Sequence, residues 1–447
     1  MSVIVRAYKY ALDPTPSQVR TFASHVGASR LTYNYLLAQV KATIDQRKAE
    51  TSYGICEDDL IPFIPTSHYA LRKYWNTKKD LVAPWWDENS KEAYSDGAKR
   101  LSLSMSNFFA SNKGKRKGPK MGFPQFHKRG SHESCRFTTG GMRVEADRKH
   151  ISLPKIGKIK TYESTRKLAR RVEKGSARIL AATLTQSGGK WFVVFTCEVE
   201  QEMALTRSAK KIVGVDLGIT TLYKVVDIHG NLVMNVENPK HIKGSEVALR
   251  RAQRMASRKM GPKPSSKASN RWVKANKRVI NIHRDTANRR ADLINKTTTH
   301  LAKTCDVVVV ESLNIKGMVK NPHLSKAISD AAWGEFVRQL KYKTTWYGST
   351  LIQVSKWFPS SKTCSDCGEV KATLPLSERE YVCTNCGLII DRDQNAALNL
   401  AKLGLIEVIT ESSSVTGRGG LNKSEVPSGK SAQADESSIL LRPLQVA

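Results

Sequence analysis

Two sets of residues in this 447-residue chain have the types and spacing of working chemistry. Cys364-x2-Cys367, fifteen intervening residues and Cys383-x2-Cys386 form two short knuckles that can close a tetrahedron of thiolates around one zinc ion. Gly368 and Gly387 each follow a second cysteine, where a knuckle needs backbone freedom that a Cβ opposes. With thiolate at all four positions, no site stays open for a reactant, so this zinc is expected to be structural. The second set is acidic. Asp216 ends the apolar run of Gly214-Val215-Asp216-Leu217-Gly218, Glu311 follows Val307 to Val310, and Asp393 opens a helix in Asp391-Arg392-Asp393-Gln394-Asn395-Ala396-Ala397. Three such carboxylates can converge on two Mg²⁺ or Mn²⁺ ions, about 3.5–4 Å apart, that activate water and stabilise the leaving oxygen of a phosphodiester. Hard oxygen ligands suit those ions. Taken singly, each acid has an ordinary alternative: a turn for Asp216, a helix cap for Asp393.

The elements that must position these groups follow from pattern. Residues 3 to 12 read as a strand, and Thr15-Pro16 supplies an N-cap and a first-position proline for a mostly helical stretch to about Ala110. That stretch carries an aromatic cluster at Tyr74, Trp75, Trp85 and Trp86. Between 135 and 200 strand signals return, including a hairpin in which Gly188-Gly189 separates 181–184 from 191–199. Together with strand 3–12 they suggest a small β-barrel with a helical insert. After Lys211 the pattern is α/β: Ile212 to Val215 is an apolar strand, and a second hairpin turns near His229-Gly230. Two basic helices follow over 245–303, broken at Gly261-Pro262-Lys263-Pro264, with Val279, Ala287, Ala291 and Ile294 proposed as the buried stripe of the second. Val307 to Val310, four β-branched residues, suits a strand covered on both faces. Beyond Gly404, taken as the end of the last helix, the chain is rich in Ser, Gly and charge and is expected to be disordered.

Composition narrows the partner. A formal charge of +33 exceeds what solubility needs and points to a polyanion, with nucleic acid foremost. The loop from Asn112 to Gly130 interleaves Lys113, Lys115, Arg116, Lys117, Lys120, Lys128 and Arg129 with Phe123 and Phe126, a mixture suited to phosphate contact and base stacking. The remaining cysteines, Cys56, Cys135, Cys197 and Cys305, are scattered singly and resemble no disulfide framework. No apolar run approaches the length that spans a bilayer. A soluble, cytoplasmic protein is expected.

The order of strand-end Asp, strand-end Glu, cysteine ribbon and Asp-Arg-Asp-Gln-Asn-Ala-Ala-Leu-Asn resembles TnpB, the RNA-guided nuclease family of insertion sequences. Ser329-Asp330-Ala331-Ala332-Trp333-Gly334, Trp357-Phe358-Pro359-Ser360-Ser361-Lys362-Thr363-Cys364, Gly122-Phe123-Pro124-Gln125-Phe126 and Arg136-Phe137-Thr138 extend the likeness over roughly residues 3–404. Miniature type V CRISPR effectors share the same core. The resemblance implies a multidomain α+β and α/β chain: a β-barrel (wedge-like) domain over 1–15 and 112–205, a helical recognition insert over 16–111, a RuvC-like (RNase H-like) nuclease domain over 206–355 and 388–404, a zinc ribbon over 356–387, and a tail over 405–447. It also implies a guide RNA, a double-stranded DNA target and Asp216, Glu311 and Asp393 as magnesium ligands, with Asp391 a neighbour. By position, Tyr53, Lys91, Ser95, Thr138 and Thr139 resemble places where family members contact a short flanking DNA motif, although Glu92 among them puts an acid beside phosphate. A catalytically silent regulator and a DNA-joining transposase are the competing expectations.

Overall fold

The computed structural model describes residues 2–116, 118–130, 133–201, 210–263, 266–375 and 377–416. They fall into two compact units. The first gathers the described residues within 1–208, 237–306 and 314–351, the second those within 209–236, 307–313 and 352–447.

The first unit is built on β1 (Ser2–Asp13). Helix α1 (Pro16–Ser52) starts with a reciprocal cap: the Thr15 hydroxyl accepts the Gln18 amide while the Gln18 side chain accepts the Thr15 amide. Helices α2 (His68–Val82) and α3 (Lys91–Asn112) follow behind serine caps. Next come β2 (Ser134–Phe137), β3 (Arg143–Val144), β4 (His150–Leu153), β5 (Gly157–Thr161), α4 (Arg166–Glu173), β6 (Ala177–Ser187) and β7 (Lys190–Gln201). Strand order is β2-β6-β7-β1-β5-β4-β3. β1 pairs with β7 from Ser2 to Ala11, then hands Leu12 and Asp13 to β5.

This corrects the expected barrel: among the described residues the sheet is open, with the short strands β2 and β3 at its edges and no pairing between them. Closure is unnecessary because helices bury the apolar side chains instead. Phe22, Leu36, Leu71 and Trp75 share one core with Phe137, Val193 and Phe195. Of the aromatic cluster, Trp75 is buried and stacks on Tyr94, whereas Trp85 is exposed. Helix α4, with Arg166, Lys167 and Arg170 exposed, had no counterpart in the sequence reading.

The same unit holds α5 (His241–Ser257), α6 (Asn270–Thr304), α7 (Ile315–Met318), α8 (Pro322–Ala331) and α9 (Trp333–Tyr347). α5 lacks a cap from its own flank, and Asp330, at the end of α8, accepts the Ile242 amide at 2.9 Å in its place. On α6 the expected stripe is wrong at two positions. Ala287 and Ala291 are exposed, and Ala275, Thr286, Ile294, Thr297, Thr298 and Leu301 are buried. Threonines enter this stripe because their hydroxyls bond to carbonyls of their own helix, Thr286 to Ile282 and Thr298 to Ile294. Counting apolar residues misses them.

The second unit carries β8 (Ile212–Asp216), β9 (Thr221–Asp227), β10 (Leu232–Glu237), β11 (Val307–Glu311) and β12 (Thr350–Val354) in the order β10-β9-β8-β11-β12. β9 runs antiparallel and β11 parallel to β8. A small hairpin of β13 (Glu380–Val382) and β14 (Ile389–Asp391) leads into α10 (Arg392–Thr416), which packs across β8, β9 and β11.

α10 passes through Gly404 without stopping, so the expected disorder is wrong for residues 405–416; residues 417–447 lie outside those described. Gly404 is a packing residue. A Cβ there would stand 2.3 Å from Val309 Cγ2, so its absence lets the helix approach β11. Leu405 and Val408 continue the contact with that core. No described helix is long and apolar enough to cross a membrane.

Candidate functional site

β8 and β11 lie side by side and parallel, in register from Ile212 opposite Val307 to Val215 opposite Val310. Each is buried up to its last residue, and each ends in an acid, Asp216 and Glu311. Two carboxylates therefore emerge at neighbouring carboxyl ends, where open α/β sheets place ligands. The third comes from α10. Gly214 lets that helix lie on β8, because a Cβ would meet the Ala397 carbonyl oxygen at 1.9 Å.

The start of α10 shows which of its polar residues are already occupied. Asp391 Oδ1 accepts the Gln394 amide at 2.9 Å and the Lys224 ammonium at 2.7 Å, so Asp391, not Asp393, is the helix cap. Arg392 Nη1 donates to the Pro375 carbonyl at 2.9 Å, and Gln394 Nε2 to the Gly230 carbonyl at 3.1 Å. Asn395 donates to the Thr363 carbonyl at 2.7 Å and accepts the Ser365 amide at 2.9 Å, while Asn399 donates to the Ser360 and Thr363 carbonyls. The carboxylate of Asp393 is the exception: it has no hydrogen-bond or ion-pair partner among the described residues.

Asp393 instead acts on Asp216. Burial first, then the charges of Asp393 and Glu311, push the Asp216 carboxyl up to about 7. Burial also raises Glu311. The charge of Arg392 opposes the rise at Asp216 only in part; among the described residues the three acids do not draw their oxygens as close together as the four cysteines draw their sulfurs.

The ribbon's four cysteine sulfurs lie within 4.8 Å of one another, as a metal centre requires. Its knuckles match. Cys364 and Cys383 each accept the amide of the glycine four residues on, at 3.1 Å, and donate their own amides at 2.8 Å to Glu369 and Leu388. Gly368 and Gly387 take φ of +79° and +75°, the conformation their lack of Cβ permits. Cys364–Cys386 and Cys367–Cys383 sulfurs are 3.6 Å apart. That is too far for a disulfide of about 2 Å and close to the edge of a tetrahedron with about 2.3 Å bonds. Bonds from Asn385 and the Glu369 amide draw Cys367 down to about 6.

The expected DNA-contact residues divide. Tyr53 and Lys91 are exposed, as are Lys115 and Arg116; Lys117 lies outside the described residues. Ser95 is buried against His68 Nε2 at 3.2 Å. Glu92 is no acid beside phosphate. It is buried, and its Oε2 accepts both the amide and the hydroxyl of Thr138, at 3.0 and 2.5 Å. Against the cost of burial, these bonds and one from Thr139 hold its carboxyl below the usual range. Glu92 thus anchors the two exposed threonines. Lys224 carries no local signal of its own, because its partner Asp391, at 2.7 Å, lies 167 residues away in the chain.

An acid-edged α/β sheet, with a cysteine ribbon inserted just before the helix that supplies the third acid, defines the class of protein. Three family models match segments: "Helix-turn-helix domain" over residues 1–49, "Probable transposase" over 194–322 and "Cas12f1-like, TNB domain" over 333–400. Within residues 1–49 this chain has a strand and part of one continuous helix. A protein of Mycobacterium tuberculosis named "Putative RNA-guided DNA endonuclease" is 37% identical over 417 residues, spanning 89% of this chain and 86% of the relative. One of Streptomyces pristinaespiralis with the same description is 31% identical over 406 residues, spanning 91% and 90%. The chain belongs to the TnpB family of insertion-sequence proteins. A solved Cas12f1–sgRNA–target DNA complex aligns with 89% of this chain and 99% of its own at 13% identity, TM-score 0.45.

Proposed function

We propose that this chain is an RNA-guided DNA endonuclease whose second unit is a RuvC-like nuclease site. The relatives' names support the reaction class, and the observation that carries the site is the untied Asp393 beside Asp216 and Glu311. Asp216, Glu311 and Asp393 would hold Mg²⁺ or Mn²⁺, which when bound supplies water activation and charge neutralisation at the scissile phosphate. Hydrolysis forms a bond from water oxygen to phosphorus and breaks the bond to the 3′ oxygen, leaving a 5′-phosphate and a 3′-hydroxyl. Residues at the two strand ends hold their carboxylates on stiff elements, as such positioning requires.

The cysteine ribbon holds a structural Zn²⁺, and through Asn395 and Asn399 it braces α10. The sheet over 1–15 and 112–205, with its helical insert over 16–111, reads a short DNA motif through Tyr53, Lys91, Thr138 and Thr139. Ser95 serves there as a buried support. Lys115, Arg116 and Lys117, with the basic helices α5 and α6, contact the guide or heteroduplex backbone through counterion release. The protein acts in the cytoplasm on double-stranded DNA.

The test is purification from cells carrying the native flanking DNA, sequencing of the RNA that comes with it, and cleavage of a matched target. A defined guide that directs Mg²⁺-dependent cutting is expected. Absence of any specific RNA, or undiminished cutting by Glu311→Ala, overturns the reading.

A further inference from the structure

β9 contains a single lysine, and the β8–β9 register sets it directly opposite Asp216. Opposed residues of an antiparallel pair share one face of the sheet, so Lys224 is a side-by-side neighbour of Asp216. Its side chain is 12% exposed. An ammonium so covered has lost much of its water and needs a charged partner, which Asp391 provides at 2.7 Å across 167 residues of sequence. That distinguishes it from the helix-surface pairs of this chain, such as Lys48–Asp45, whose side chains are both over 70% exposed.

Asp391 has two duties at one atom. Its Oδ1 caps α10 through the Gln394 amide and receives Lys224. Capping defines where the helix begins, but it makes no connection to the sheet. Packing of Ala397 and Leu398 against Val226 holds the body of the helix to β9, and the Lys224 ion pair ties the residue that caps its first turn to the same strand. Asp393, two residues along and untied by any bond of its own carboxylate, takes its place from this turn.

We propose that Lys224 is a positioning residue of the nuclease site: its ion pair with Asp391 fixes the first turn of α10 against β9 and so sets where the Asp393 carboxylate stands relative to Asp216. This rests on the nuclease reading above. The bonds from Gln394 to Gly230 and from Arg392 to Pro375 and Arg379 brace the same turn toward the β9–β10 turn and the ribbon, and Lys224 adds an ion pair to the strand itself. A displacement of about 1 Å of a catalytic group can cost about 100-fold in rate.

The experiment uses the full chain with its co-purified guide and compares Lys224→Met, Lys224→Arg and Asp391→Asn, which keeps a capping oxygen but loses the charge. Single-turnover cleavage, target-DNA affinity, melting temperature and Mn²⁺ affinity by electron paramagnetic resonance are measured on each. Lys224→Met and Asp391→Asn are expected to cut about 10- to 100-fold more slowly, with Mn²⁺ affinity weakened several-fold and target affinity unchanged. Lys224→Arg, which can re-form the pair, should recover most of the rate. Native Mn²⁺ affinity and native rate in Lys224→Met overturn the proposal. So does a lowered melting temperature with metal affinity untouched, since that is what a merely structural pair would give. If Lys224→Met does not fold, Asp391→Asn decides by the same criteria. Asp216→Ala is run alongside: if it cuts normally, the nuclease reading fails, whereas a dead Asp216→Ala beside a native-like Lys224→Met removes only the role of Lys224.

Discussion

Two enclosed acids in this chain, Glu92 and Asp216, have opposite fates. Glu92 is buried between α3 and the end of β2, where Thr138 and Thr139 turn their donors onto it and its carboxyl is held below the usual range. Asp216 is half-buried at the end of β8, where burial and then the charges of Asp393 and Glu311 raise its carboxyl to about 7. Burial alone would raise both. Glu92 thus has donors enough to offset its burial, whereas at Asp216 the Leu217 amide and the Arg392 charge do not outweigh burial and the two neighbouring acids.

The widest separation should come from removing each acid. Asp216→Ala is expected to lower cleavage by on the order of 1,000-fold or more, as loss of several kcal/mol of transition-state stabilisation requires, while guide-dependent DNA binding and melting temperature hold. Full binding with no cutting, read by gel shift and single-turnover assay, is the expected pattern. Unchanged cutting would put Asp216 in the same class as Glu92.

Stripping the ribbon tests whether the acidic end depends on its brace. Cys364→Ser should unfold the ribbon, because thiolate coordination of zinc is itself folding energy. Through Asn395 and Asn399 it should cut cleavage by about 10- to 100-fold, with zinc content measured alongside. A ribbon that loses its metal while cleavage stays intact would show α10 to be self-supporting.

Glu92 should be visible in stability and not in chemistry. Glu92→Ala is expected to cost about 1–2 kcal/mol, since it strips a buried ionised acceptor from the Thr138 amide and hydroxyl, which water can reach only in part. A lowered carboxyl pKa contributes stability that is present above the unfolded value of 4.5 and lost as pH falls through the lower folded value. The difference in unfolding free energy between the native chain and Glu92→Gln should thus be flat from pH 6 to pH 8 and shrink below about 4.5. A difference that grew on acidification would reverse the assignment.

The smallest expected effect concerns the helix shared by the acids. If Gly404 merely ended a helix, Gly404→Ala would be neutral or stabilising by up to about 1 kcal/mol. Because the added Cβ would meet Val309 Cγ2 at 2.3 Å, a loss of about 1–2 kcal/mol in chemical denaturation is expected instead.

Much of the architecture was legible because it is local. The Thr15 cap, the Gly188-Gly189 hairpin, the β-branched run before Glu311 and the paired knuckles are each specified by neighbours a few residues apart, and the structure contains all four. The open sheet was not legible, because whether edge strands close on each other depends on what covers the sheet. Nor was the buried stripe of α6, where threonines satisfy their own hydroxyls and pack as apolar residues.

What the sequence by itself determined is the chemical inventory: four thiolates at ribbon spacing, three acids at element ends and a large positive charge. Only the tertiary structure decided their employment. Asp391 and Asp393 look interchangeable in Asp391-Arg392-Asp393, and they part company because Lys224 and the Gln394 amide claim the first and, among the described residues, no donor claims the second. The physical reason is that a carboxylate's role is set by whether donors saturate it, and those donors arrive from residues far away in the chain.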